Sequence, residues 1–108
     1  MKAKYLGMLS LAKKANRLVS GNYLVKNTIA ANKAGLVVID KELSQRVADD
    51  IKKECGDKNI LCIETRNHGE LVEIAGRENI KTVCVTDKKM GGAIYKKYLE
   101  ESEVSENN

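Results

Sequence analysis

The sequence contains no phenylalanine, tryptophan or proline, and its only aromatic side chains are four tyrosines. The interior must therefore be aliphatic, and a chain of 108 residues that is 43% hydrophobic can form one domain with a buried core. No apolar run approaches the roughly 20 residues that cross a bilayer. The lysine-rich start is interrupted by Gly7 and Ser10 and lacks the small-residue cleavage site of a secretory signal. We therefore predict a cytoplasmic protein with no membrane partner.

Cysteines are few and irregularly spaced. The three thiols, Cys55, Cys62 and Cys84, are an odd number without any Cys-x-x-Cys spacing, which is typical neither of a disulfide framework nor of a zinc site. Cys62 and Cys84 fall within apolar segments, where cysteine usually acts as a small buried hydrophobe. We predict that the protein holds no metal and no cofactor.

Acidic residues are absent from positions 1–39, which carry seven lysine or arginine residues. In the rest of the chain, the other 12 of the 19 basic residues are outnumbered by 15 acidic ones. Such an asymmetry is typical of a protein with one end that binds a polyanion such as nucleic acid. A solvated basic face without a partner is an equal alternative on charge alone.

Hydrophobic periodicity predicts alternating helices and strands. Helices are expected at 4–15, 22–32, from the N-cap Ser44 to Gly56, at 70–75 and at 90–99, and strands at 17–20, 35–40, 59–64 and 79–87. This order predicts a three-layer α/β/α sandwich around a short parallel or mixed sheet. Residues 1–99 are expected to form the single domain, and the acidic segment 100–108 is predicted to be disordered.

Groups suited to catalysis are scarce. His68 is the only histidine, and it lies in a polar loop where an exposed side chain is expected anyway. The sequence has no Gly-x-Gly-x-x-Gly, P-loop or His-Glu-x-x-His motif. Gly91 and Gly92 are not followed by the Lys–Ser/Thr pair of a phosphate-binding loop, so a simple turn is expected there. We predict that the protein is not an enzyme, with no catalytic residues and no small-molecule substrate.

The segment LVSGNYLVKNTI (18–29) contains the best candidate for a binding site. It predicts a short strand that ends at Ser20, Gly21 and Asn22, which we call the Gly21 junction, and a helix that follows at once. Glycine allows a ligand to approach the backbone, and the first helical turn offers N–H groups to a phosphate. Asn22 is expected to cap the helix or to offer its amide to a base edge, and Tyr23 to stack on a base or to pack.

The phrases LSLAKKANRLVSG, AGLVVID and GELVEIAGRENI resemble the ribosomal protein L7Ae superfamily, whose members bind kink-turn RNA, and especially its bacterial YlxQ-like branch. The resemblance covers residues 5–99. It implies an α/β/α sandwich with a four-stranded mixed sheet. It also implies a non-catalytic protein related to ribosomal proteins, which acts in a ribonucleoprotein. Its expected partner is ribosomal or other kink-turn-bearing RNA, with the ribosome as a further partner.

The resemblance places the RNA site at the Gly21 junction, but most of the family's RNA-binding phrase has changed. That phrase is Gly-x-Asn-Glu-x-x-Lys, and in an ungapped alignment its four named positions fall on Gly21, Tyr23, Leu24 and Asn27. Only the glycine is kept. Base contacts of ~1–3 kcal/mol each are then lost, whereas Asn22, Lys26 and Lys33 remain to contact phosphates. The resemblance therefore implies RNA binding with weakened base readout and a stronger dependence on salt.

A second loop of the family, near the fourth helix, also grips the RNA, and here it is assigned to Arg66, Asn67 and His68. Arg66 is expected to contact a phosphate and His68 to stack, with a solvated loop as an equal alternative.

The alternative function is a protein-interaction module that kept the fold but lost specific RNA recognition. The positions of four lysines discriminate between the two functions. Their convergence around Gly21 would favour RNA, and their dispersal would favour the interaction module; they are Lys13, Lys14, Lys26 and Lys33.

Overall fold

The computed structural model describes residues 3–106. These residues form five helices and four strands in the predicted order: α1 (Lys4–Lys14), β1 (Leu18–Ser20), α2 (Asn22–Ala30), β2 (Leu36–Ile39), α3 (Gln45–Asp57), β3 (Leu61–Glu64), α4 (Glu70–Ala75), β4 (Thr82–Val85) and α5 (Lys88–Glu106). Within this described part of the chain, no helix is both long enough and apolar enough to span a membrane.

The four strands form one mixed sheet in the order β1-β4-β2-β3. β4 runs antiparallel to both of its neighbours, whereas β2 and β3 are parallel. As a result, the last residues of β1, β2 and β3 lie at the same end of the sheet as the first residue of β4. We call this the Gly21 end, and the residues that mark it are Gly21, Asp40, Thr65 and Thr82.

Helices cover both faces of the sheet, which confirms the three-layer sandwich. Val38 and Val83 point toward α1, α4 and α5, whereas Val37 and Cys84 point toward α2 and α3. Because both of their faces are covered, β2 and β4 are buried along their whole length. Tyr5 of α1 is fully buried and supplies an aromatic ring to an otherwise aliphatic core.

Asparagine, rather than glycine, follows three of the helices. Asn16, Asn32 and Asn59 have φ angles of 59°, 60° and 57°, in the left-handed region that asparagine tolerates better than most residues. After α1, for example, the N–H of Arg17 donates to the carbonyl of Ala12 at 2.8 Å and closes the helix end. Each asparagine thus turns the chain from a helix toward the next strand.

The last helix is longer than the sequence predicted at both ends. It begins at Lys88 rather than Met90, because the Asp87 carboxylate accepts the N–H of Met90 at 2.9 Å and acts as the N-cap. At its other end the helix continues to Glu106, beyond the predicted end at residue 99; the domain boundary after residue 99 and the disorder of segment 100–108 stay predictions. Residues 107 and 108 lie outside the described residues.

The extension of α5 holds the start of α1. The two carboxylate oxygens of Glu101 accept the backbone N–H groups of Lys4 and Tyr5 at 2.8 and 2.9 Å. These N–H groups belong to the first turn of α1 and have no carbonyl partner within that helix. A carboxylate at this position also interacts favourably with the helix dipole.

We expect Glu101→Ala to lower the free energy of unfolding by about 2 kcal/mol, because hydrogen bonds to a charged group are worth ~1.5–3 kcal/mol. Urea denaturation measures the effect. Glu100→Ala is the matched control, since its carboxylate pairs with Lys97 of the same helix at 3.0 Å, and such pairs contribute roughly 0.5 kcal/mol. Equal losses in both variants would contradict the capping role of Glu101.

Candidate functional site

Gly21 turns the chain directly from β1 into α2 with φ 94° and ψ 149°. This combination lies in a region that is essentially restricted to glycine. The Gly21 N–H donates to the carbonyl of Thr82 at 2.9 Å, and the Gly21 carbonyl accepts the N–H of Val25 at 3.0 Å. The glycine is therefore fixed on both sides. The N–H groups of the three residues that begin α2, Asn22 to Leu24, precede the first intrahelical bond and are directed out of the helix.

The Asn22 side chain joins the start of α2 to β4 instead of capping α2. Its Oδ1 accepts a hydrogen bond from the Thr82 hydroxyl at 2.8 Å, and Thr82 is fully buried. Because the oxygen is engaged, the NH₂ group of this exposed amide is its remaining donor. Two roles were predicted for Asn22. It does not cap the helix, because its side-chain oxygen binds Thr82 of β4. Its NH₂ group is available to donate a hydrogen bond to a ligand.

The loop that flanks the Gly21 junction is residues 76–81, between α4 and β4. A Cβ added to Gly21 would lie 3.9 Å from Cδ1 of Ile80, and Lys81 immediately precedes the Thr82 carbonyl that binds Gly21. Arg77 and Lys81 are exposed in this loop. Sequence reasoning missed it, because only the position of β4 beside β1 brings it to the junction.

Arg66, Asn67 and His68, which sequence reasoning assigned to the second RNA-binding loop, lie in the loop between β3 and α4 and not in loop 76–81. They follow β3, three strand spacings from β1, or about 14 Å. The Arg66 guanidinium lies 5.2 Å from the ring centre of Tyr5 and 4.1 Å from that of Tyr98. It also donates to the Tyr98 carbonyl at 2.6 Å and to the Ser102 hydroxyl. The structure thus uses Arg66 to connect the β3–α4 loop to α1 and α5, away from the Gly21 junction.

The other two residues of this loop also contact protein groups. The N–H of Asn67 donates to the Glu70 carboxylate at 3.2 Å, and Nδ1 of His68 lies 3.3 Å from the Glu42 carboxylate. With the buried Asp40, His68 and Glu42 place three potential metal ligands within 4.8 Å of one another. The two Asp40 oxygens, however, already accept the N–H groups of Glu42 and Gly69 at 2.7 and 3.1 Å. Through these bonds Asp40 connects the loop after β2 to the loop before α4, and this role explains its burial without a metal ion. The absence of a metal remains a prediction.

A family model for the ribosomal protein L7Ae/L30e/S12e/Gadd45 family matches residues 3–97. The chain belongs to this family. It therefore has an RNA-binding, ribosomal-protein-like fold, and the expected α/β/α sandwich with a four-stranded mixed sheet is confirmed. The YlxQ-like branch is consistent with this match and stays a prediction.

Solved structures share the fold of this L7Ae-family chain. One of them, described as a protein with unknown function from Bacillus halodurans C, superposes with a TM-score of 0.82 at 21% sequence identity. The match covers 89% of this chain and 97% of the other. At this level of identity the likeness establishes the fold and nothing finer. Among curated proteins, none matches the sequence significantly.

Of the four lysines that discriminate between RNA binding and protein interaction in this L7Ae-family protein, two contact protein groups, namely Lys13 and Lys26. Lys13 donates to the carbonyls of Ile74 and Ala75 at 3.2 and 2.8 Å, at the end of α4. Lys33 follows the far end of α2, a helix of nine residues, and is about 13 Å from its start. The assignment of Lys33 to the RNA site stays a prediction.

Lys26 is on the second turn of α2, one turn after Asn22, but it already has a partner. Its ammonium group forms an ion pair with Asp50 of α3, with side chains 39% and 49% exposed. The hydrogen bond raises the pKa of Lys26 and lowers the pKa of Asp50. Both groups are therefore charged at neutral pH, and an RNA phosphate would have to compete with Asp50 for Lys26.

The cysteines lie in the layer between the sheet and the helices α2 and α3. Burial raises the pKa of Cys84 to about 12, and the pKa of Cys55 is raised by its hydrogen bond with Cys62 and by burial. Both thiols therefore stay protonated at neutral pH, and protonated thiols are poor nucleophiles. The prediction that Cys84 is a small buried hydrophobe is confirmed, and Cys62 is only partly buried.

Proposed function

We propose that this protein is a non-catalytic, cytoplasmic RNA-binding protein that binds structured, kink-turn-like RNA, ribosomal or other, at the Gly21 junction. The observation that carries the proposal is the geometry of Gly21. Its glycine-specific backbone angles are fixed by hydrogen bonds with Thr82 and Val25, and they direct the N–H groups at the start of α2 outward. The family to which the chain belongs has an RNA-binding fold.

An RNA phosphate fits the start of α2 for electrostatic reasons. The N–H groups there carry the positive end of the helix dipole, and such ends bind anions readily. The Asn22 NH₂ group and the exposed Arg77 and Lys81 of the adjacent loop supply further donors, and with the exposed Glu78 the loop has a net charge of about +1. Positions 1–39, which include all of α1, β1 and α2, contain no carboxylate side chain that would repel the phosphate.

We propose that base readout is weakened relative to the family's RNA-binding phrase. Tyr23, Leu24 and Asn27 stand at the positions of its asparagine, glutamate and lysine, and all three are exposed on α2. A leucine side chain has no hydrogen-bonding group, so it cannot replace a carboxylate at a base edge. Phosphate contacts position an RNA without specifying its sequence, and binding that depends on them weakens steeply with salt.

A protein-interaction module is the second candidate. It is favoured by the protein partners of Lys13 and Lys26 and by the position of Lys33 after the far end of α2. On this alternative, the exposed Tyr23 and Leu24 contact a protein partner and the Gly21 junction has no ligand.

Binding of the wild-type protein to a fluorescent kink-turn RNA and to an unbent duplex of matched length, at several salt concentrations, tests the proposal. Preference for the kinked RNA supports it fully. Equal affinity for both RNAs, falling steeply as salt rises, would indicate a protein that binds the RNA backbone in general and would contradict kink-turn selectivity. Absence of binding at low salt overturns the proposal and favours the interaction module.

Removing the ion pair between Lys26 and Asp50 is expected to raise the affinity for RNA. Asp50→Asn releases Lys26 for a phosphate, so we expect tighter RNA binding and a salt slope that is steeper by about 0.7–0.9, the value for one added phosphate contact. Glu100→Gln is the matched control. It removes the same charge from another exposed ion pair, on α5 in the opposite layer. An equal gain from both variants would show an effect of net charge alone.

A further inference from the structure

Tyr23 is the most exposed of the large hydrophobic side chains in the described part of the chain. The residue is 77% exposed, and the neighbouring Leu24 is 46% exposed. Both belong to the first turn of α2, directly after Gly21. Single exposed hydrophobic residues are common on protein surfaces, but here an aromatic ring and an aliphatic side chain adjoin the proposed RNA site.

The position of Tyr23 on the helix brings its ring toward the Gly21 end of the sheet. Side chains on an α-helix tilt toward the helix N-terminus. We therefore expect the ring of Tyr23 to lie near the turn that contains the outward N–H groups of α2. A flat aromatic surface then adjoins a cluster of N–H groups that can bind a phosphate. This combination is found in sites that bind single-stranded nucleic acid.

We propose that Tyr23 stacks on an unpaired RNA base, while a neighbouring phosphate binds the N–H groups at the start of α2. This inference rests on the proposed RNA-binding function and makes it more specific. Where the family's phrase has an asparagine at this position, this protein has an aromatic face, and Leu24 extends its apolar surface. The site then recognises a base that is displaced from the RNA helix, and this recognition does not depend on hydrogen bonds to a particular base pair.

The base must be unpaired because stacking requires an open face. Within a duplex, each base is covered on both faces by its neighbours, whereas bases in bulges and bends are splayed out and accessible to aromatic side chains. Stacking tolerates any base, since every base has a π-face. The basic, carboxylate-free segment 1–39 favours a nucleic acid over an apolar peptide as the occupant of this surface.

Two RNA hairpins that contain the fluorescent base 2-aminopurine test the proposal. In one, 2-aminopurine is a single unpaired bulge, and in the other it is paired in an otherwise identical duplex. The wild-type protein is compared with Tyr23→Phe, which keeps the aromatic face, and Tyr23→Leu, which keeps only apolar area. Leu11→Ala is the control for loss of exposed apolar surface, because Leu11 is 62% exposed on α1, in the opposite layer.

We expect wild type and Tyr23→Phe to prefer the bulged RNA and to quench its fluorescence. Tyr23→Leu should bind it about tenfold more weakly and without quenching, as expected for the loss of one stacked base. Leu11→Ala should match wild type. If Tyr23→Leu binds and quenches as wild type does, the stacking role is overturned and the proposed RNA binding stands. If wild type binds neither hairpin at low salt but binds kink-turn RNA, the stacking proposal alone fails. If it binds neither the hairpins nor kink-turn RNA, both proposals fail and a protein contact at Tyr23 is favoured.

Discussion

Gly91→Ala is expected to lower the free energy of unfolding by about 3 kcal/mol, near the upper end of the usual range for overpacking. Gly91 lies in the first turns of α5, where the helix crosses the start of β2. A Cβ added there would lie 2.6 Å from the carbonyl carbon of Gly35 and 3.0 Å from the nitrogen of Leu36. These are backbone atoms of a central strand, so they cannot move aside as the end of a flexible side chain could.

The helix itself must therefore move, and that movement disturbs contacts on both sides. A Cβ on Gly35 would likewise lie 2.9 Å from the Cα of Lys88 at the start of α5. The two glycines permit direct contact between helix and strand. A loss of 3 kcal/mol corresponds to a fall in melting temperature of roughly 12–24 °C for a domain near this size, which thermal unfolding followed by circular dichroism measures.

The adjacent Gly92 provides a control in the same helix. A Cβ at Gly92 would meet no described atom within 4 Å. Gly92→Ala should therefore raise stability by about 0.8–1.0 kcal/mol, the difference in helix propensity between the two residues. The two neighbouring variants thus shift stability in opposite directions. A similar shift for both would show that the contact between Gly91 and Gly35 does not limit the packing of α5.

Gly21→Ala is expected to reduce both stability and RNA affinity. The φ of 94° with ψ of 149° is unfavourable for any residue with a Cβ, so keeping the junction in place costs ~1–3 kcal/mol. Relaxation to a negative φ would break the Gly21–Thr82 hydrogen bond and turn the N–H groups of α2 away from a phosphate. Loss of one hydrogen bond to a charged ligand group, ~1.5–3 kcal/mol, lowers affinity by roughly tenfold to a hundredfold.

Gly69→Ala separates a binding effect from a general loss of stability. Gly69 has φ 76° and ψ 0° at the start of α4, in a left-handed conformation that costs an alanine ~1–2 kcal/mol. It follows β3 and lies away from the Gly21 junction. Both variants should unfold at lower urea concentration, and only Gly21→Ala should lose RNA affinity when both are assayed well below their melting temperatures. Equal RNA affinity of the Gly21→Ala and Gly69→Ala variants would show that the Gly21 junction is not part of the binding site.

Most of the fold could be predicted from the sequence because its signals are local. The i+4 spacing of Val47, Ile51 and Cys55 predicted α3, and the β-branched run before Asp40 predicted β2. The ends of elements were harder to predict. Asp87 was expected in the strand, although it caps α5, and Glu101 holds α1 through contacts that join residues nearly a hundred positions apart.

The candidate site was predicted only in part, for the same physical reason. The Gly21 junction was visible because a strand, a glycine and a helix follow one another directly in the chain. The assignment of Arg66 to the same site depended on knowing which loop adjoins the junction, and no local pattern contains that information. Lys33 was close to the junction in sequence, but the intervening helix separates the two in space.

The sequence by itself determined the order of helices and strands, the three layers, the basic N-terminal segment and the presence of a glycine turn before α2. These features follow from side-chain periodicity, composition and backbone preference, which act over a few residues. Only the tertiary structure decided that β4 lies between β1 and β2, that Lys26 pairs with Asp50, and that loop 76–81 flanks the junction. These features depend on packing between distant segments, which places side chains together irrespective of their separation along the chain.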